Sequence, residues 1–321
     1  MAPMSLNIAE MAVFGPVQSL MINESWLKAW TTNDQVDAAV HRLLVRASKA
    51  GSRILSTDFE SFDASLGPGW RTWARKLQHR LMKETPQTGE LLEALEHVAS
   101  NIPLMVQMDN IITGEHGEPS GIVFTNWDDS VSHRFAQHRI ENVHGVRLDE
   151  DTQVQGDDGL LATYPSLDAE AVTRVYADLG LRANPDKQFE GEDDCLYLQR
   201  YHHISKVGGM YPTYRALNSL LGQERYHDPE KWDARMVTLR AIMILENTKH
   251  HPLFQEFVAF VQSGDKYRLG ASYPGGIQEL LSPGLLSTAA ELAGFIPSYN
   301  QEGRLGGICE FATYKLIKEG E

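Results

Sequence analysis

"TQVQGDDGLLATY", residues 152–164, sets two aspartates side by side between two short apolar stretches. Like charges this close raise the energy of ionising one another unless a cation sits nearby. Val154 on one side and Leu160, Leu161 and Ala162 on the other read as two short strands, and Gly156 permits a tight turn between them. The segment is therefore expected to form a hairpin with Asp157 and Asp158 at its tip. Gly and Asp are also ordinary turn residues, so a plain surface turn is the competing reading of this stretch taken alone.

Upstream, "SRILSTDFESFD" (52–63) opens on the strand-like Ile54 and Leu55 and ends in acids. If that strand neighbours the hairpin in one sheet, Asp58 and Asp157 converge on one spot. Carboxylates gathered this way suit a pair of hard divalent cations about 4 Å apart, the recurrent device of nucleotidyl transfer. The other segments read as a mixed chain. A helix is expected over 69–84, and "FTNWDDSVSHRFAQHRI" (124–140) places Phe124, Trp127, Val131 and Phe135 at helical spacing after the loop "GEHGEPSG". A further helix over 168–180 stops at Gly180, and "CLYLQRYHH" (195–203) alternates as a strand does. Beyond about residue 205 helices dominate. One is expected over 227–247 with Asp228 as N-cap, Pro229 at its first position and Trp232, Met236, Leu239 and Met243 on one face, and another over 253–264.

With 321 residues, 42% of them hydrophobic and 22% charged, the chain can bury a large core and is expected to divide into two or three subdomains. No apolar run is long enough to cross a bilayer, and the first residues lack the pattern of a secretory signal, so a cytosolic setting is expected. Cys195 and Cys309 lie far apart without a CxxC spacing, which argues against a disulfide framework or a cysteine zinc site. The histidines, including His133, His138 and the pairs His202–His203 and His250–His251, lack zinc-ligand spacing and read as surface or packing residues. A net charge of −14 excludes a surface that is basic throughout but leaves room for a local basic channel.

Five segments in order carry a family resemblance: "DFESFD", "SGIVFTNWDDS", "GDD", "NPDKQF" and "LYLQRY". Together they resemble the palm motifs of viral RNA-directed RNA polymerases, most similar to those of picobirnaviruses, with partitiviruses next. "YPTYRALNSLL" (211–221) resembles the start of a thumb of the same type. The resemblance implies an α+β fold: a right-hand polymerase palm with an antiparallel sheet flanked by helices, followed by a mostly helical thumb. It divides the chain into a fingers remnant with palm-supporting helices (1–50), the palm (51–205, with a fingers insertion at about 67–115) and the thumb (206–321). "MAPMSLNIAEMAVFGP" resembles sequence just downstream of the family's basic fingers, so the fingers are expected to be largely absent.

Residue by residue, the resemblance implies that Asp58, Asp157 and Asp158, with the backbone carbonyl of Phe59, hold two Mg²⁺ ions, for which Mn²⁺ substitutes. Asp63 matches the acid that reads the ribose of the incoming nucleotide, where a carboxylate can accept the 2′-OH hydrogen bond. Ser120, Gly121, Thr125 and Asn126 match the loop and helix start that position ribose and template. Lys187 matches the lysine that protonates the leaving pyrophosphate, and Arg200 a phosphate contact near the primer strand. Asp129 stands four residues after Thr125 where the picornavirus pattern has asparagine. Facing Asp63, it implies either an intervening group or a raised pKa. The implied activity is template-directed RNA synthesis from NTPs for viral replication and transcription. The implied partners are template and product RNA, NTPs and a capsid protein, with no membrane, in host cytoplasm or virion interior. Two alternatives stay open: a reverse transcriptase-like polymerase, and a non-catalytic RNA-binding or capsid-docking fragment of a polymerase.

Overall fold

All four residues of Ile54–Thr57 are buried, the signature of a strand covered on both faces. This strand, β1, is the centre of the architecture. The computed structural model describes residues 3–82, 85–222, 230, 232–277 and 307–320. Along the chain, α1 (Met4–Met21) and α2 (Asn33–Ala50) precede β1, with a 3-10 segment at Ser25–Trp30 between them. After β1 come a one-turn α3 (Phe62–Ser65), α4 (Pro68–Leu81), α5 (Pro86–Asn101), and the hairpin of β2 (Leu104–Gln107) and β3 (Asn110–Ile112). Then follow α6 (Thr125–His144), β4 (Arg147–Leu148), β5 (Gln153–Gln155), β6 (Asp158–Tyr164), α7 (Ala169–Asp178), β7 (Phe189–Gly191) and β8 (Asp194–Tyr197).

The described chain divides into two compact units. The first comprises Met1–Trp30, Ala38–Leu198 and His203–Lys206. Its main sheet runs β4-β6-β1-β7, with β5 also paired to β6, and the β1–β6, β1–β7 and β5–β6 pairings are antiparallel. Leu55 and Leu161 from the sheet pack with Ala136 and Ile140 of α6 and Val172, Val175 and Tyr176 of α7. Each fully buried aliphatic side chain of this kind contributes about 2 kcal/mol of transfer free energy. A second core gathers Val13, Phe14 and Val17 of α1, Ala74 of α4, Leu92 and Leu95 of α5 and Trp127 of α6. α7 begins where Asp168 caps it, accepting from the Ala171 N–H at 2.8 Å, and ends before Gly180, whose φ of +81° suits glycine.

The second unit comprises Thr31–Asp37, Gln199–His202 and Val207–Glu321. Its strands β9 (Arg200–His203) and β10 (Lys206–Met210) pair, and helices follow: α8 (Thr213–Leu221), α9 (Ala234–Glu246), α10 (Phe254–Gly264) and α11 (Ala312–Glu319). Met236, Leu239, Ile242 and Leu245 of α9 meet Val258 of α10 and Tyr314 and Ile317 of α11 in one core. No described helix is long and apolar enough to cross a membrane.

Two sequence expectations change. Residues 195–203 are not one strand: the run breaks at Leu198 and Gln199, with φ of 50° and 59°, so β8 and β9 are separate. The helix expected from Asp228 starts instead at Ala234, where the Asp233 carboxylate accepts from the N–H groups of Arg235 and Met236. Asp228 and Pro229 themselves lie outside the described residues.

Candidate active site

The acids meet because of strand register. Thr57 of β1 pairs with Gly159 of β6, so Asp58 leaves β1 beside the point where Asp158 enters β6. On the other side, Gln155 of β5 pairs with Asp158, leaving Gly156 and Asp157 as a two-residue loop. Gly156 has φ +60°, and Asp157 is not among the residues with positive φ, so only the first loop position demands glycine. Gly159 answers a different need: a Cβ there would stand 2.4 Å from both His133 Cε1 and Thr57 Oγ1.

Three of the carboxylates are raised by burial and by acidic neighbours. Burial and the neighbouring Asp157 and Asp58 push Asp158 up to about 6. Asp157 is raised by burial first, then by Asp58 and Asp63, against hydrogen bonds from backbone N–H groups. Asp129 rises to about 8, by burial and then by Asp63, Asp128 and Asp157. Among the described residues, the charged side chains that shift Asp129 and Asp158 are all acids. Hard oxygen donors with surplus negative charge fit divalent cations such as Mg²⁺ or Mn²⁺. In the second unit, Asp34, Asp37 and His250 bring ligand atoms within 4.8 Å of one another. There, however, Lys249 Nζ lies 2.6 Å from Asp34 and Arg200 Nη1 2.9 Å from Asp37. That group is an ion-pair network in which Asp34 and Asp37 each already have a cationic partner.

The remaining expected residues sort as follows. Ser120 Oγ donates to the Asp63 carboxylate, and the Glu118 N–H donates to the Asp63 carbonyl at 2.7 Å, so the glycine-rich loop and the segment after β1 are tied together. Gly121 has φ +98°. Thr125 Oγ1 donates to the carbonyls of Pro119 and Ile122 at 3.1 and 3.0 Å, and Asn126 Oδ1 accepts from Trp30 Nε1 at 2.7 Å. Lys187 is exposed and paired with Glu60 at 2.5 Å, which raises its pKa. Phe59 has its side chain buried against Phe62, His133 and Tyr176. Arg200 lies in the second unit, is 4% exposed and is engaged by Asp37.

Other residues hold the site without having been singled out by sequence reasoning. Gln188 brackets Asp58, accepting from its N–H and donating to its carbonyl, both at 2.9 Å. Its only signal was adjacency to Lys187. Ser130 and His133 of α6 grip Gly156. Beneath the loop, Arg71 Nη1 donates to the carbonyls of His116 and Gly117 at 3.0 and 2.8 Å, and Arg75 meets Asp128 at 2.9 Å. Both arginines are 1% exposed, an arrangement only tertiary structure reveals.

With this geometry in hand, comparison with known proteins is direct. The sequence profile described as viral RNA-dependent RNA polymerase matches residues 1–265. The chain is 35% identical over 314 residues to a potential RNA-dependent RNA polymerase of Human picobirnavirus (strain Human/Thailand/Hy005102/-), covering 95% of this chain and 58% of that protein. Among solved structures it is similar to the RNA-dependent RNA polymerase of a human picobirnavirus, with a TM-score of 0.85, 32% identity, and coverage of 100% of this chain and 61% of that one. The insertion loop deletion mutant of a human picobirnavirus polymerase matches with a TM-score of 0.81 and 33% identity, covering 100% and 60%. The chain thus spans less than two thirds of these relatives' length.

Proposed function

The chain belongs to the viral RNA-dependent RNA polymerase family, and from that premise we propose that it carries the catalytic centre for template-directed RNA synthesis from NTPs. One observation carries the proposal: the β1–β6 register that sets Asp58 beside Asp157 and Asp158, where burial and the charge of Asp58 both raise the pKa of the hairpin acids. In this reading residues 51–205 are the palm, with 67–115 an insertion from the fingers, 206–321 the thumb, and 1–50 helices that support the palm.

Asp58, Asp157 and Asp158, with the carbonyl of Phe59, hold two divalent ions, Mg²⁺ or Mn²⁺. When bound, such ions lower the pKa of the attacking 3′-OH and take up charge on the departing pyrophosphate. Asp63 and its partner Ser120 face the ribose, where a carboxylate accepts from the 2′-OH and so favours ribonucleotides. Asp129 and Asn126 lie on the adjoining turn of α6 and complete that wall, while Gly121 and Thr125 shape the loop before it. Lys187, charged and exposed beside Glu60, is suited to giving a proton to the pyrophosphate. Arg200 is reassigned to the Asp37 network, a role within the protein rather than on RNA.

The test is labelled nucleotide incorporation on a primed RNA template, comparing this chain with Asp157→Asn and ribo- with deoxynucleotides. Ribonucleotide incorporation that the substitution abolishes supports the reading. Equal incorporation by both chains refutes the role of Asp157, and a preference for deoxynucleotides favours a reverse transcriptase.

A further inference from the structure

The tip of the acid hairpin is held by side chains from a helix. Gly156 is buried, so both of its backbone polar groups need partners within the protein. Its N–H donates to Ser130 Oγ at 2.9 Å, and its carbonyl accepts from His133 Nδ1 at 3.0 Å. Ser130 and His133 stand three residues apart on α6, hence on one helix face. They are 1% and 0% exposed.

The imidazole is fixed on every side. A carbonyl can only accept, so Nδ1 carries the proton and Nε2 is the acceptor. Nε2 lies 3.4 Å from the Tyr176 hydroxyl and 3.5 Å from Thr57 Oγ1. The ring meets Phe59 edge-on at 4.9 Å and occupies the space that a Cβ on Gly159 would need. One side chain therefore touches β1, β6, α7 and the hairpin tip. The same helix carries Asn126 and Asp129 within one turn of the clamp.

We propose that Ser130 and His133 are positioning residues, a two-point clamp on Gly156 through which α6 fixes the reach of Asp157 and Asp158 toward the divalent ions. The inference rests on the two-cation reading of those acids. Its consequence is that the ribose-facing turn of α6 and the cation-holding turn of the hairpin move as one piece. A hairpin tip left to water would sample other loop geometries, because two residues with free backbone groups have little else to order them.

Two readouts test the clamp without relying on turnover. The first is amide hydrogen exchange at Gly156. The second is Mn²⁺ affinity by electron paramagnetic resonance, with Asp157→Asn as the reference for a damaged site. Ser130→Ala removes the acceptor, His133→Phe removes the donor while keeping a ring, and His133→Asn keeps an N–H near the Nδ1 position. Losing one such hydrogen bond is expected to speed Gly156 exchange about fivefold to tenfold in Ser130→Ala, and to weaken Mn²⁺ binding by a similar factor in Ser130→Ala and His133→Phe. His133→Asn should stay within about twofold of the parent in Mn²⁺ affinity, a rescue that a merely space-filling histidine would not give. If His133→Phe fails to fold, the smaller Ser130→Ala change carries the test. Unchanged Gly156 exchange in Ser130→Ala overturns the clamp, and faster exchange with parental Mn²⁺ affinity overturns its role in positioning. A parent chain that binds Mn²⁺ no better than Asp157→Asn overturns the two-cation reading itself, and the positioning role with it.

Discussion

Asp129 offers a quantitative test of the acid cluster. Its carboxyl is 6% exposed and its pKa stands at about 8, against 3.8 for a free aspartate. Between those values the unfolded chain has released the proton while the folded chain keeps it. The folded state then binds more protons, so stability falls as pH rises from about 4 to about 8. At pH 7 the penalty is bounded by the interval from 3.8 to 7 at about 1.4 kcal/mol per unit, or about 4 kcal/mol. Asparagine cannot ionise, so Asp129→Asn removes the penalty. At roughly 2 °C per kcal/mol for a protein of this size, the variant should melt up to about 8 °C above the parent at pH 7. The gap should close toward pH 4. Thermal melts of both chains without divalent ions, at half-unit steps from pH 4.5 to 7.5, read this directly. A difference independent of pH, or one that widens toward acid, would refute the raised pKa of Asp129, to which burial contributes most and the neighbouring acids next.

Further substitutions probe the supports around the acids. Gly159→Ala drives a methyl to 2.4 Å from His133 and Thr57, so denaturant unfolding should register a loss of about 1–3 kcal/mol, accompanied by lost Mn²⁺ binding. Gln188→Ala frees both backbone groups of Asp58 and should weaken Mn²⁺ binding while lowering stability by about 1 kcal/mol. Arg200→Ala strands the buried Asp37 carboxylate and should destabilise by about 3–5 kcal/mol. In contrast to loss of a phosphate contact, it should leave the salt dependence of RNA binding unchanged, as a filter-binding titration against salt would establish.

The strand elements around the acids were legible because period and turn chemistry are local. Val154, Leu160 and Leu161 fix which residues face inward, and Gly156 fixes where the hairpin turns. From these the meeting of Asp58 with Asp157 needed only the assumption that two strands were neighbours, and the register of β1 on β6 meets it. Local signals misled where a start or a break is set by residues outside the pattern. Asp228-Pro229 carries the helix-start pattern, yet the Asp233 carboxylate makes the cap of the helix over Ala234–Glu246. Leu198 and Gln199 adopt positive φ without being glycine or asparagine, so nothing in "CLYLQRYHH" announced the break. The grips on Gly156 and Asp58 were invisible for another reason. Ser130 and Gln188 reach backbone atoms 26 and 130 residues away, and a side chain's long-range partner leaves no periodic trace. His133, read as a surface or packing residue, is a packing residue that also holds the hairpin. The burial of Arg71 and Arg75 likewise depends on Glu118, Asp128 and the loop carbonyls arriving from elsewhere.

If Asp58, Asp157 and Asp158 form one two-cation site, electron paramagnetic resonance should count two Mn²⁺ ions per parent chain in the presence of a nucleoside triphosphate. At least one ion should be lost in both Asp58→Asn and Asp157→Asn. Equal Mn²⁺ occupancy in the parent and both variants would sink the two-cation site.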